Sequence, residues 1–266
     1  HVVIGRANLA ESADCVAVAA SAVHQAVPGA TFLSALRRAN LRGALEAGLT
    51  PGMLPGRSSL AEHGQAWKEL WGSVPSTAGM DTTQILQAAA ASKVDVLILL
   101  GADPLADFAD RSLARRGVAG ARTVISLDRF LTASTRQADI VFPVAGFAEC
   151  EGTHTNLEGR VTRLNQKVTP PGTARTDWMI AAELAALLGK DLGVERDAHE
   201  LWDELTAHSA VHSGVSSAAL DHPDAADGLL LDLGPSPFVT PVAPHVAPQS
   251  SYSLRLIVNR TLYDQG

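Results

Sequence analysis

Cysteine is nearly absent from this chain: among 266 residues the only thiols are Cys15 and Cys150. Two cysteines cannot build a disulfide framework, and they fall short of the four thiolates of a structural zinc or an iron–sulfur cluster. Lysine is scarce too, with Lys68, Lys93, Lys167 and Lys190 the only ones among 21 basic residues. The formal net charge of -7 is the reverse of the basic stripe that a duplex nucleic-acid binder presents. Apolar runs are short: the longest has its core at Val96–Leu100, far below the roughly 20 residues of a bilayer-spanning helix. No Gly-x-Gly-x-x-Gly follows any predicted strand, which disfavours a nicotinamide site, and no Gly-x-Ser-x-Gly elbow supports a serine hydrolase. The start, His1-Val-Val-Ile-Gly5, has neither a charged n-region nor an initiating Met. The chain is therefore expected to be a piece of something longer.

What is present is a large apolar fraction, 46% of residues, with 18% charged. At about 150 residues per domain the length implies one large domain or two smaller ones. A chain of this size buries roughly 70–75% of its unfolded surface and needs no covalent staple. Residues 2–4 read as a strand, with a helix from about Leu9 to Gln25 and a second strand at 31–33. Residues 37–59 are so rich in glycine and proline that they read as an ordered irregular loop. Asp81-Thr-Thr-Gln84 is a capping box opening a helix to about Ser92. A buried strand at 94–100, a helix from Pro104 to about Arg116, and strands at 123–127 and 139–143 follow. That alternation predicts an α/β fold with a parallel sheet covered by helices on both faces. Residues 177–188 read as an amphipathic helix and 198–208 as another. From Asp221 to Gln249 prolines accumulate as in a surface linker, and residues 252–258 alternate like a strand.

Ala148 to Arg163, containing Glu149, Glu151-Gly152, Thr155-Asn156, Glu158 and Gly159-Arg160, reads as a polar loop after a strand. Its Thr and Asn side chains offer hydrogen bonds, and Arg160 suits a carboxylate or a phosphate. A plain structural tie from Arg160 to Glu158 or Glu149 is the competing reading. Asp103 and Asp128 end consecutive strands and so face one crevice, where ligands of open parallel sheets sit. Their carboxylates suit either ribose or guanine hydrogen bonding or the capping of a following helix.

The pattern Asp139-Ile-Val-Phe-Pro143 followed by Glu149-x-x-Gly152-Thr-x-x-Asn156-x-x-Gly159-Arg160 resembles a loop of the molybdopterin oxidoreductases. Asn40-x-x-Gly43-Ala-x-x-x-Gly48 with Pro51 and Pro55-Gly56, Gly101-Ala-Asp103-Pro104, and Asp128-x-Phe130-x-Thr132-x-x-Thr135-x-x-Ala138-Asp139 are similar to three further segments, in the same order. Arg260-Thr-Leu-Tyr263-Asp264-x-Gly266 looks most like the branch formed by the G subunit of bacterial NADH–quinone oxidoreductase. The resemblance implies a Rossmann-like α/β domain over residues 36–195, preceded by the tail of a neighbouring α/β domain (1–35). A helical extension and Pro-rich linker (196–249) and the start of a truncated C-terminal β-rich domain (250–266) would follow. It places dinucleotide contacts, where the family has them, at Asp103, Asp128, Thr155, Asn156 and Arg160. The implied role is that of a structural domain in a complex carrying electrons from NADH to quinone, with no catalytic or metal-ligating residue of its own. No cofactor is then expected in this piece, and the iron–sulfur clusters belong to a part N-terminal to it. Partners would be other subunits of the membrane-extrinsic arm, on the cytoplasmic side, with no nucleic acid and no membrane insertion. The alternative is an enzyme of formate dehydrogenase type in which these positions hold molybdopterin guanine dinucleotide.

Four subsidiary expectations accompany this reading. Arg160 is expected to be mostly buried, so that Arg160→Ala costs about 3–5 kcal/mol. His208 and His212, four apart at a frayed helix end, are expected to be solvated. Cys150 reads as packing rather than chemistry, and Trp67 and Trp71 as core or subunit contact.

Overall fold

Val2–Ile4 forms β1, and after α1 (Ala13–Ala26) the chain returns as β2 (Phe32–Ser34). The two strands pair in parallel, Val3 opposite Leu33, in a sheet of their own. This computed structural model describes residues 1–5, 13–35, 38–193, 197–232, 250, 252 and 254. The first turn of the expected Leu9–Gln25 helix therefore lies outside the described residues. So do most of the strand expected at 252–258 and the Arg260–Gly266 segment.

The Gly/Pro-rich stretch holds a short helix, α2 (Leu41–Glu46), and a small hairpin of β3 (Met53–Leu54) and β4 (Ser58–Ser59). Gly48, at φ +87°, lets the chain fold back on Leu54, whose carbonyl carbon would lie 2.7 Å from an added Cβ. Ser59 caps α3 (Leu60–Trp71) by accepting from the Glu62 amide at 3.2 Å.

The capping box forms as expected at the start of α4 (Thr82–Ala90). The Gln84 amide donates to Asp81 Oδ1 at 2.8 Å, and the Asp81 amide to Gln84 Oε1 at 3.0 Å. β5 (Val96–Leu100) follows. The helix expected from Pro104 to Arg116 divides into α5 (Pro104–Asp107) and α6 (Arg111–Gly120). The break has a local cause: Asp110 accepts from the Leu113 amide at 2.9 Å and starts a new helix. β6 (Thr123–Asp128) and β7 (Ile140–Pro143) complete a parallel sheet of order β5-β6-β7. Leu97, Leu99 and Val124 pack with Val118 of α6 and Ile85 of α4. The two helices touch closely, since a Cβ on Gly120 would lie 2.3 Å from the Ala89 carbonyl oxygen. The opposite face departs from the two-sided expectation. Val96, Ile98 and Leu100 point away from α4 and α6 and remain about half exposed.

The polar segment read as a loop is a β-hairpin: β8 (Gly152–Thr155) and β9 (Arg160–Leu164) pair antiparallel, Thr155 opposite Val161. α7 (Asp177–Leu187) is not amphipathic. Its apolar residues lie on all sides, with Ile180 and Ala182 buried but Leu187 exposed, as is Leu188 beyond its end. α8 (Ala198–His208) forms as expected, followed by α9 (Ser217–Leu220) and β10 (Leu229–Leu230). β10 pairs with β9, and Val161, Val215, Leu220 and Leu231 form a buried cluster with Trp202 against it. Residues 221–232 are thus no linker. Apolar side chains at Leu220, Leu229 and Leu231 tie them to the hairpin, a pairing that proline content alone does not reveal.

Candidate functional site

At the carboxyl end of the parallel sheet, Asp103 and Asp128 occupy the two loops as expected. Neither caps the helix that follows it. Asp103 precedes α5 without a capping bond and reaches about thirty residues onward instead. Its Oδ2 accepts from the Ala133 amide at 3.2 Å, and its Oδ1 accepts from the Ser134 amide at 3.1 Å and the Ser134 hydroxyl at 2.5 Å. The same hydroxyl accepts from the Leu105 amide at 3.1 Å, satisfying the helix start that Asp103 leaves open. Asp128 Oδ1 takes the amides of Arg129 (2.7 Å) and Phe130 (3.2 Å). Behind the loop the hydroxyls of Ser126, Thr135 and Thr132 form a chain with 2.9 Å links, and Asp139 takes the Val124 amide at 2.7 Å. The motif residues are thus bonded to one another within the fold.

Thr155, Asn156 and Arg160 lie on a separate element, the β8–β9 hairpin. Asn156 closes its turn: Oδ1 accepts from the amides of Glu158 (3.1 Å) and Arg160 (2.9 Å), with Gly159 at φ +90°. Arg160 donates through Nε to Glu158 Oε1 at 2.7 Å and through a terminal nitrogen to the Gly228 carbonyl at 3.2 Å. These bonds lower the Glu158 carboxyl from its ordinary value, the Arg160 hydrogen bond acting first and that from Asn156 second. The tie to Glu158 is one of the two expected; Glu149 instead accepts from the Gly146 amide at 2.7 Å. Arg160 is mostly covered, as expected, though not fully buried. Its side chain is 31% exposed, held by the Glu158 carboxylate and the Gly228 carbonyl.

Thr155 is buried, and its amide donates to Asn40 Oδ1 at 2.9 Å across 115 residues. Asn40 stands in the left-handed region at φ +60°. Gly43 makes room for it, since a Cβ there would fall 2.1 Å from Asn40 Oδ1. Arg42 donates to the Leu157 carbonyl at the hairpin tip, at 2.6 Å. Behind it Glu46 is buried, with Arg42 at 3.4 Å and Arg57 at 3.9 Å. Burial raises the Glu46 carboxyl, and the Arg57 and Arg42 charges only partly oppose this. Two of the matched segments, residues 40–48 and 149–160, therefore form one clasp. Sequence reasoning did not place Arg42, Glu46 or Arg57 in it. The i,i+4 spacing of Arg42 and Glu46 was the one signal available.

His212 overturns the solvated reading. It is 2% exposed, its Nδ1 lies 2.7 Å from Ser209 Oγ, and its ring stands edge-on to Trp202 at 5.4 Å. Burial drives its pKa down to about 4. His208 stays exposed. Cys150 is half-buried, its thiol pushed up first by burial and then by the Asp177 charge, so it is a poor nucleophile. Trp67 is buried against Trp71, ring centroids 4.7 Å apart. Arg163, buried on β9, contacts His199 and pairs with Asp221 at 3.4 Å, binding α8 to the hairpin. Among the described residues no group of three or more His, Cys, Asp or Glu could hold a metal ion. None of their helices is long and apolar enough to cross a membrane.

Parallel strands with motif loops at their carboxyl ends, and a motif hairpin joined to α2, define an α/β protein of the open-sheet type. A family model described as Molybdopterin oxidoreductase matches residues 7–187. The chain belongs to the molybdopterin oxidoreductase family. It is 32% identical over 233 residues to the second G subunit of NADH-quinone oxidoreductase of Rhizobium meliloti, covering 86% of this chain and 27% of that protein. It is 34% identical over 219 residues to the NADH-quinone oxidoreductase G subunit of Streptomyces coelicolor, covering 77% and 26%. To F420-dependent formate dehydrogenase 2 subunit alpha of Methanococcus maripaludis it is 32% identical over 181 residues, covering 66% and 26%. The chain spans about a quarter of the length of these relatives.

Proposed function

We propose that this chain is a structural domain of a G subunit of NADH–quinone oxidoreductase, in which electrons pass from NADH to quinone through centres held elsewhere. The observation that carries this reading is the engagement of the five positions at which a family dinucleotide would touch. Asp103 accepts three intramolecular hydrogen bonds, Asp128 accepts two, Asn156 closes a turn, Arg160 is divided between Glu158 and Gly228, and Thr155 is buried. Moreover, the two carboxylates and the other three residues stand on different elements. Side chains already bonded in this way do not fit a pterin dinucleotide, which would need free donors and acceptors converging on one crevice. The proposed setting is the membrane-extrinsic arm, on the cytoplasmic side, against other subunits of the complex.

The similarity to formate dehydrogenase alpha subunits favours one alternative, an enzyme that holds molybdopterin guanine dinucleotide. Mass spectrometry of the intact, full-length protein for molybdenum and released pterin decides between them. Neither is expected; stoichiometric pterin would overturn the structural reading.

A further inference from the structure

β5 is an edge strand with nothing to protect it. Its pairing among the described residues is to β6 alone. The Asp95 carbonyl accepts from the Thr123 amide at 2.9 Å, and the Gly101 amide donates to the Leu127 carbonyl at 2.8 Å. Backbone polar groups alternate along a strand, so Leu97 and Leu99 also address β6, while the amides and carbonyls of Val96, Ile98 and Leu100 point to the free edge. The side chains of the same residues form the open face, at 51%, 54% and 53% exposure. An apolar edge of five residues, without proline, charge or bulge, is one that proteins cover. Parallel sheets, moreover, are covered on both faces.

The β1–β2 unit has the complementary deficit. Two parallel strands of three residues each are too little to stand alone, and among the described residues β1 has no partner on the side away from β2. The Phe32 ring centroid lies 6.1 Å from that of His24, so Phe32 faces α1, and Val2 and Ile4 share that face. Val3, on the other face, is 66% exposed. α1 is built mainly of alanine and valine, with Asp14 its only formal charge, the composition of a helix covered on more than one side.

The handedness of the connections fixes where the two belong. α4, on the way from β2 to β5, packs on the same face as α6: Ile85 and Val118 both meet the Leu97, Leu99 and Val124 cluster. Parallel crossovers are right-handed. The chain therefore moves from β2 to β5 in the same direction as from β5 to β6, which sets β2 on the free side of β5. With β1 between them, the β1–α1–β2 crossover runs the opposite way and its helix falls on the opposite face, over Val96, Ile98 and Leu100. With β2 between them, α1 would crowd onto the α4 face and leave those residues open. The family match is continuous from residue 7, inside the β1–β2 unit, to residue 187 at the end of α7.

We propose that the free edge of β1 docks in parallel on the free edge of β5, giving one sheet of order β2-β1-β5-β6-β7 with α1 over its open face. Residues 1–35 are then part of this domain and not the tail of a neighbouring one. Val3 comes to lie beside Leu97 and Leu99, on the α4 face. A second copy carries the same β1, but residues 35–95 tether the chain's own unit at an effective concentration on the order of millimolar. The joined sheet is independent of whether a pterin is bound, which mass spectrometry reads separately.

The test uses the full-length protein with benzoylphenylalanine at position 98, irradiated and mapped by peptide sequencing. The expected cross-link joins position 98 to β1 or α1 of the same chain. In the unmodified protein, residue-resolved hydrogen exchange should find the amides of Val96, Ile98 and Leu100 slowed to within about tenfold of those of Leu97 and Leu99. A cross-link to β2, to any other segment, to a differently tagged second copy or to another polypeptide overturns the proposal, as does none at all. So does exchange at the edge amides faster than at Leu97 and Leu99 by more than about tenfold.

Discussion

The strand-end crevice and the hairpin clasp carry matching kinds of motif residue but are held in different ways. In the crevice the bonds are local or nearly so: Asp128 serves amides one and two residues on, and Asp103 serves a turn about thirty residues away. In the clasp the decisive contact, Asn40 to Thr155, spans 115 residues, and Arg42 to Leu157 spans the same distance. The contrast teaches that a polar motif can persist because the fold uses it internally. Where such bonds join distant segments, they stabilise tertiary structure rather than a turn.

The largest expected effect lies in the core behind the clasp. His212 has a pKa of about 4 in the folded protein, against an ordinary value of 6.5. The unfolded chain therefore binds the extra proton between these values. The stability that His212 contributes is complete above pH 6.5 and is lost as pH falls toward 4, by about 3 kcal/mol. Urea melts of wild type and His212→Gln across that window isolate this share, because carboxylates such as Glu158 titrate in both. The same slope in both proteins would mean that His212 is not the group responsible.

Asn40→Ala should come next, at about 2–3 kcal/mol, from an unpaired Thr155 amide plus the left-handed backbone. Asn40→Gly should recover the backbone share only. Asp103→Ala should cost about 2 kcal/mol, since the Ser134 amide lies in the buried part of its turn. Hydrogen exchange would sharpen the comparison. Asn40→Ala should release amides of β8 while leaving β5 and β6 protected, and Asp103→Ala should do the reverse. Uniform loss in both variants would make the two regions one cooperative unit.

Arg160→Ala should cost only about 1 kcal/mol, well below the 3–5 kcal/mol expected for a buried pair. Its Glu158 partner is solvent-exposed and water replaces much of the lost interaction. Asp128→Ala should be smallest, about 0.5–1 kcal/mol, because a solvated turn keeps its shape through its other bonds. A chemical-denaturation series measures both; Arg160→Ala exceeding Asn40→Ala would invert the picture of where the clasp is held.

What the sequence by itself determined is the short-range part of this protein. Alternating apolar strands and helices and the Asp81–Gln84 box rest on contacts within a few residues, so periodicity and side-chain type suffice to read them. The order of the matched segments was equally legible. Tertiary structure decided the rest. Whether residues 149–160 were loop or hairpin depended on β8 and β9 pairing across the Asn156 turn, a sheet that β10 extends from residue 229. Whether His212 was solvated depended on Trp202 and Ser209 closing over it. The open face of β5 depended on which helices reach it. These outcomes turn on which elements pack against one another, and the residues that meet carry no mark in local sequence of the neighbour they will find.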